Sequence, residues 1–183
     1  MFNNKTRIDL PLNYQRQIID HCLRKLEGNY LENENRNLKA FGLLAGDKNG
    51  ERIKIAAVYP LMKNVRSVEP HSQFMDRMME EHAIPSETPL KKRGWVADPE
   101  ELAMALAKFK SDGHTLVGSY HMHRVSWEHD RTRDTPTALD KILGRDSRLI
   151  MFIVSMVNPE KPIIRAYSEG SPEREIPIVL TDG

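Results

Sequence analysis

Two histidines one residue apart close a short apolar run, Leu116-Val117-Gly118-Ser119-Tyr120-His121-Met122-His123. No other stretch constrains the chain as much. In a strand, residues i and i+2 point to the same face. His121 and His123 would therefore present both imidazoles side by side, as two ligands of one metal require. A turn-rich segment follows, and Asp134 stands just before an expected helix. Its carboxylate would close a third position and leave a fourth open to water, the layout of a catalytic rather than a structural zinc site. The plainer alternative is a half-buried strand with two polar residues turned outward. His129 and Asp130 are alternative ligands from the same loop, ranked below Asp134.

Composition narrows the setting. A length of 183 residues fits one domain with a sizeable core. A hydrophobic share of 39% with 29% charged residues suits a globular chain and argues against extensive disorder. The formal net charge of +1 gives no basic field, so no nucleic-acid partner is expected. Cys22 is the lone cysteine, which excludes an intrachain disulfide, and a reducing cytoplasm is the expected location. No run of 18 apolar residues and no apolar leader stands in the sequence, so no membrane association is expected.

The element pattern is mixed. Ile8 to Pro11 reads as an extended lead-in. Residues 12–26 have helical periodicity, with Ile18, Cys22 and Leu26 on one face and Asn13 as the cap. Residues 38–46 and 52–59 read as a hairpin around Asp47-Lys48-Asn49-Gly50. Asp98-Pro99-Glu100-Glu101 is a helix start, with Leu102, Ala105, Leu106 and Phe109 as the inner face. A further helix should follow Thr135-Pro136-Thr137. Residues 148–156 are apolar almost throughout and should form a central strand. Residues 163–167 should return antiparallel, and 175–180 should form an edge strand that tolerates Pro177. The expected fold class is α/β (α+β), a mixed curved sheet flanked by helices, in one domain over residues 1–183.

The spacing His121-x-His123, ten residues, Asp134 resembles the metal motif of the JAMM (MPN+, JAB-domain) metallopeptidases. That pattern reads His-Ser/Thr-His-Pro, six residues, Ser, two residues, Asp. Arg124 stands for the Pro and Arg131 for the Ser. Gly42-Leu43-Leu44-Ala45-Gly46, Tyr59-Pro60 with Asn64, and Arg165-Ala166-Tyr167 are also similar to the family, so the likeness runs from about residue 8 to 179. It implies a JAMM, cytidine-deaminase-like layout, a Zn²⁺ cofactor on His121, His123 and Asp134, and a hydrolase of peptide or isopeptide bonds. The implied partner is a peptide or a ubiquitin-like (sulfur-carrier) C-terminal tail.

One position departs from the resemblance. Active relatives carry a glutamate three residues before the first glycine of the strand, and here that position is Lys39. A lysine beside a dication is repelled and is no carboxylate base. Residues 65–93 depart from the family pattern as an insertion, with the Met-rich helical stretch Phe74, Met75, Met78 and Met79. That stretch reads as a surface helix packing its methionines on the core. The sharper alternative is a lid over the site, where Glu80 or Glu81, or Glu87, would replace the missing base. Arg131, if turned inward, would offer a charged donor to a developing oxyanion. Two functions follow: a zinc metallopeptidase with a rearranged base, or a catalytically impaired protein that binds a partner or peptide.

Overall fold

The computed structural model describes residues 5–85 and 88–182. Its frame is one eight-stranded mixed sheet with four α-helices. β1 (Arg7–Pro11) runs into α1 (Leu12–Leu26), and β2 (Phe41–Asn49) and β3 (Arg52–Pro60) form the hairpin. Then come α2 (His71–His82), α3 (Pro99–Ser111) and β4 (Thr115–His123). α4 (Ala138–Gly144), β5 (Ile150–Ser155), β6 (Ile163–Ser168), β7 (Glu175–Ile176) and β8 (Ile178–Thr181) complete it. The order across the sheet is β7-β6-β5-β4-β2-β3-β1-β8.

The last two strands depart from the single edge strand expected over 175–180. β7 pairs with β6 at one edge, and β8 pairs with β1 in parallel at the other. Only Pro177 lies between them, so the sheet curls until its edges meet there. Ile8 N donates to the Pro177 carbonyl at 2.9 Å, while proline itself offers no N–H to a ladder. The curl wraps one sheet face around α1, whose Ile18 and Cys22 pack with Leu44, Ile55, Phe152 and Val154. α3 covers part of the other face through Ala105 and Phe109. Met75 and Met79 of α2 pack with Leu139 of α4 on that same outer side. As expected, β5 is central and β6 returns antiparallel.

Helix boundaries follow local chemistry. Asp98 caps α3 by accepting from Glu101 N at 3.0 Å, with Pro99 in the first turn. Asn13 does not cap α1. The helix begins directly after Pro11 with no side-chain cap, because the chain turns out of β1 there. Leu106 of α3 stays largely exposed, since the hairpin covers only the Ala105 and Phe109 side.

Beneath α1 lies a buried ionic cluster that periodicity alone did not reveal. Glu34 is held by Arg24 and by the N–H of Leu31 at 2.9 Å, with Lys25 Nζ at 3.3 Å. Burial pushes the Glu34 carboxyl up, but these partners outweigh it and hold it at about 2. His21 Nδ1 meets Tyr120 Oη at 2.7 Å. Burial, reinforced by Arg24, lowers His21 from 6.5 to about 4. Below pH 6.5 the unfolded chain therefore takes up a proton that the folded chain refuses, and stability falls as pH drops towards 4. Between pH 6.5 and 5 the His21 contribution is about 2 kcal/mol, or about 4–8 °C in Tm. Thermal unfolding at both pH values checks this. In His21→Gln the acid-induced drop should shrink by that amount, and an unchanged drop would refute it.

Candidate metal centre and cleft

β4 delivers the two histidines to the outer face of the sheet. Its residues alternate, so Tyr120 points inward to α1 while His121 and His123 point to the side of α2 and α4. Both imidazoles are buried, and their Nε2 atoms are 3.1 Å apart. His123 Nδ1 donates to the Arg133 carbonyl at 2.9 Å, which leaves its Nε2 as a lone pair. Arg133 reaches that geometry with φ of 52°, a left-handed backbone that turns its carbonyl to the ring. His121 Nδ1 has no hydrogen-bond partner among the described residues.

The carboxylate beside them is Asp140, not Asp134. Asp140 Oδ1 is 3.4 Å from His121 Nε2, and Oδ2 is 3.8 Å from His123 Nε2. Ligand atoms bonded tetrahedrally to zinc lie about 3.3 Å from one another, given bonds of about 2.0–2.1 Å. The imidazole pair at 3.1 Å and the Asp140 Oδ1–His121 contact at 3.4 Å fall close to that value, and the second carboxylate oxygen stands 3.8 Å from His123. Thr137 and Asp140 form a reciprocal capping box at the start of α4. Thr137 N and Oγ1 donate to Asp140 Oδ2 at 2.7 and 2.8 Å, which leaves Oδ1 facing His121. Burial pushes both histidines down and keeps them neutral. Burial opposes ionisation of Asp140, but its pKa is lowered all the same, with the Thr137 backbone and side-chain hydrogen bonds favouring the carboxylate. Two neutral imidazoles and one carboxylate form a donor set for a divalent transition metal.

Asp134 has other work. Its carboxylate accepts from Thr132 Oγ1 at 2.9 Å and from Arg165 Nη1 at 3.2 Å, and Tyr167 Oη donates to its carbonyl at 3.1 Å. Asp130 organises the loop through Arg133 N at 2.7 Å and Thr135 Oγ1 at 3.0 Å. His129 is exposed beside Trp127. Neither is near the histidine pair.

The carboxylate beside the histidines thus stands six residues further along than the family spacing suggested, at Asp140 rather than Asp134. The signal was present. Thr137-Ala138-Leu139-Asp140 is itself a Ser/Thr-x-x-Asp pattern and a helix-start signature. Arg131 is exposed and does not line the cleft described next, so it offers no donor there.

A cleft of about 380 Å³ opens over the three donors. Met75, Met79, Trp95, Val125, Trp127 and Leu139 give it apolar walls. The 65–93 insertion supplies one of these walls, so its methionines face both core and cleft. Glu80 and Glu81 are on the exposed side of α2 and do not line the cleft, because Met75, Met79 and His82 occupy the helix face turned inward. Glu87 lies outside the described residues.

Lys39 does line the cleft. β2 pairs with β4 so that Phe41 faces His121, and Met122 N donates to the Ala40 carbonyl at 2.9 Å. This brings Lys39 to the same end of the sheet. Its Nζ donates to the Gly94 carbonyl at 2.6 Å. Burial, then the nearby Arg66 and Arg124 cations, lower its amine to about 8. Gly94 has φ of 73°, and a Cβ there would lie 2.7 Å from the Met79 methyl, so glycine fits this turn.

No family model matches the chain, and no curated protein matches it. Solved structures do. The solution structure of a protein from Desulfitobacterium hafniense has a TM-score of 0.64 at 22% identity, covering 96% of this chain and 94% of that one. A solution structure from Salinibacter ruber gives 0.52 at 18% identity, covering 95% and 92%. At these identities the likeness shows a shared mixed α+β fold and nothing of activity.

Proposed function

We propose that this chain is a zinc-binding protein of JAMM-like layout whose metal centre serves a peptide or ubiquitin-like tail lying in the cleft. The reading rests on one observation. His121, His123 and Asp140 gather two imidazole nitrogens 3.1 Å apart and a carboxylate within 3.4 Å of one and 3.8 Å of the other on the cleft floor. Zinc on such a set would keep an open position, polarise a carbonyl oxygen and bring a bound water to a pKa of about 7. The remaining tasks fall to the chain itself. Trp95 and Trp127 offer large apolar contacts on either side of the floor, and Met75 and Met79 offer adaptable ones.

Binding rather than turnover is the favoured role. Peptide hydrolysis needs a group that takes a proton from water and hands it to the leaving amine. Lys39 stands at that place as an amine hydrogen-bonded to a carbonyl. The carboxylates lining the cleft are committed elsewhere: Asp140 to the histidines and Thr137, and Glu169 to Arg174 at 2.9 Å and Arg148 N at 3.0 Å. The second reading, a slow zinc peptidase, draws on the three-ligand set with its cleft-facing vacancy.

The chain's two tryptophans both line the cleft, so their emission reports its filling. Titrating a peptide tail into the zinc-loaded protein should shift tryptophan emission saturably. The shift should weaken at least tenfold after zinc is removed by chelation. Emission that ignores both peptide and metal would refute the proposal.

A further inference from the structure

We propose that the cleft takes the free carboxylate end of a peptide whose last side chain is large and apolar, with Lys39 and Arg124 receiving the carboxylate. The inference rests on the metal-centre reading above and goes further by naming which end of a peptide is held. It starts from an imbalance of charge. Lys39 is half-buried, and its Nζ has the neutral Gly94 carbonyl as its hydrogen-bond partner, with no carboxylate paired to it among the described residues. Arg124 lines the same cleft, is exposed, and has no ion pair among the described residues. The pairing of β2 with β4, with Met122 N donating to the Ala40 carbonyl at 2.9 Å, brings Lys39 and Arg124 to the same end of the sheet at the cleft. Arg66 adds a third cation nearby, but it is already answered by Asp76.

Among the described residues, no carboxylate lining the cleft offsets the pair. Asp140 faces the imidazoles, and Glu169 is answered by Arg174. A dication on two neutral imidazoles and one carboxylate would add further net positive charge to the same floor. Two uncompensated cations beside a metal site favour an anion, because opposite charge relieves a desolvation cost that like charges only increase. A carboxylate suits both the ammonium and the guanidinium as a charge-assisted hydrogen-bond acceptor.

The walls fix the rest of the ligand. Met75, Met79, Trp95, Trp127 and Leu139 provide an apolar bed. The hydroxyl of Ser119 lies among them, where a peptide N–H or C=O group can pair. A volume of about 380 Å³ is in the range that holds a small ligand or the last few residues of a chain. A plain alkyl carboxylate would use the bed and the cations but leave the Ser119 hydroxyl unmatched.

The test is calorimetry on the full chain with measured zinc content. The probes are N-acetyl-Ala-Ala-Phe as free acid, the same peptide as C-terminal amide, and octanoate. The acid should bind at least tenfold more tightly than the amide and than octanoate. Lys39→Met and Arg124→Met should each bring the acid down to the level of the amide with zinc content unchanged. Arg124 is exposed, so its variant keeps the test open if Lys39→Met folds poorly. Equal binding of acid and amide overturns the inference, as does no binding of either, an acid preference that survives both variants, or octanoate matching the peptide. A chain that takes zinc without preferring the acid fails here alone. A chain that takes no zinc fails on the metal reading, and an acid preference in it would still support the carboxylate site.

Discussion

Zinc bound by the chain purified without chelator or histidine tag should fall from about one per molecule to background in His121→Ala and in Asp140→Ala, and stay at about one in Asp134→Ala. The contrast between the two aspartates carries the test. Asp140 lies 3.4 Å from His121 Nε2, whereas Asp134 is spent on Thr132 and Arg165. Removing one of three protein ligands leaves two, too few to hold zinc against dilution. Asp134→Ala should instead loosen the loop, because Arg165 loses one of its two acidic partners and keeps Glu175. Its effect should be a modest fall in Tm with zinc retained. Zinc lost in Asp134→Ala and kept in Asp140→Ala would reverse the assignment. No zinc in the parent chain would remove the metal reading altogether.

Why the sequence placed the carboxylate wrongly is a matter of loop length. The two histidines were legible because a strand has a fixed period of two, so their common face follows from spacing alone. The carboxylate beside them lies across a loop, and loops have no period. A spacing borrowed from the resemblance picked Asp134, while the physical signal lay in Thr137-x-x-Asp140. That pattern makes a capping box, and a capping box fixes where the helix starts.

The same logic explains other gains and losses. β5 was legible from its unbroken apolar run, and α3 from Asp98 and Pro99. The split of 175–181 into strands at opposite sheet edges was not, because its cause is the curl of the whole sheet, expressed locally only by Pro177. The cluster of His21, Arg24, Lys25 and Glu34 was not, because three of its members sit on α1 and the fourth, Glu34, comes from the polar stretch that follows it. Charged residues are buried there because they satisfy one another, which composition does not reveal. The insertion was legible as a Met-rich helix. Which face its methionines turned to depended on tertiary packing against Leu139.

Lys39→Glu should create peptide hydrolysis in the zinc-loaded protein where the parent has little or none. A general base at the proper place contributes typically 10²–10⁴-fold in rate, so a gain of about a hundredfold or more is expected. The local setting favours the change. Arg66 and Arg124, which depress the lysine's affinity for its proton, would stabilise a carboxylate at the same position. The new side chain would be repelled by the Gly94 carbonyl that now accepts from Lys39 Nζ, and attracted to a dication on the cleft floor. Both forces turn it towards the metal. The substitution should also abolish any preference for a free carboxylate, since it puts a negative charge where the anion would sit. Hydrolysis is measured with a fluorogenic peptide panel and a ubiquitin-like fusion, with Lys39→Glu/His121→Ala as the control that must stay inactive. A gain that survives that control belongs to a contaminant. A folded, zinc-replete Lys39→Glu that stays inert would mean that more than the base is missing. The most direct candidate is then position 131, where the resemblance has a serine and this chain an exposed arginine that does not line the cleft.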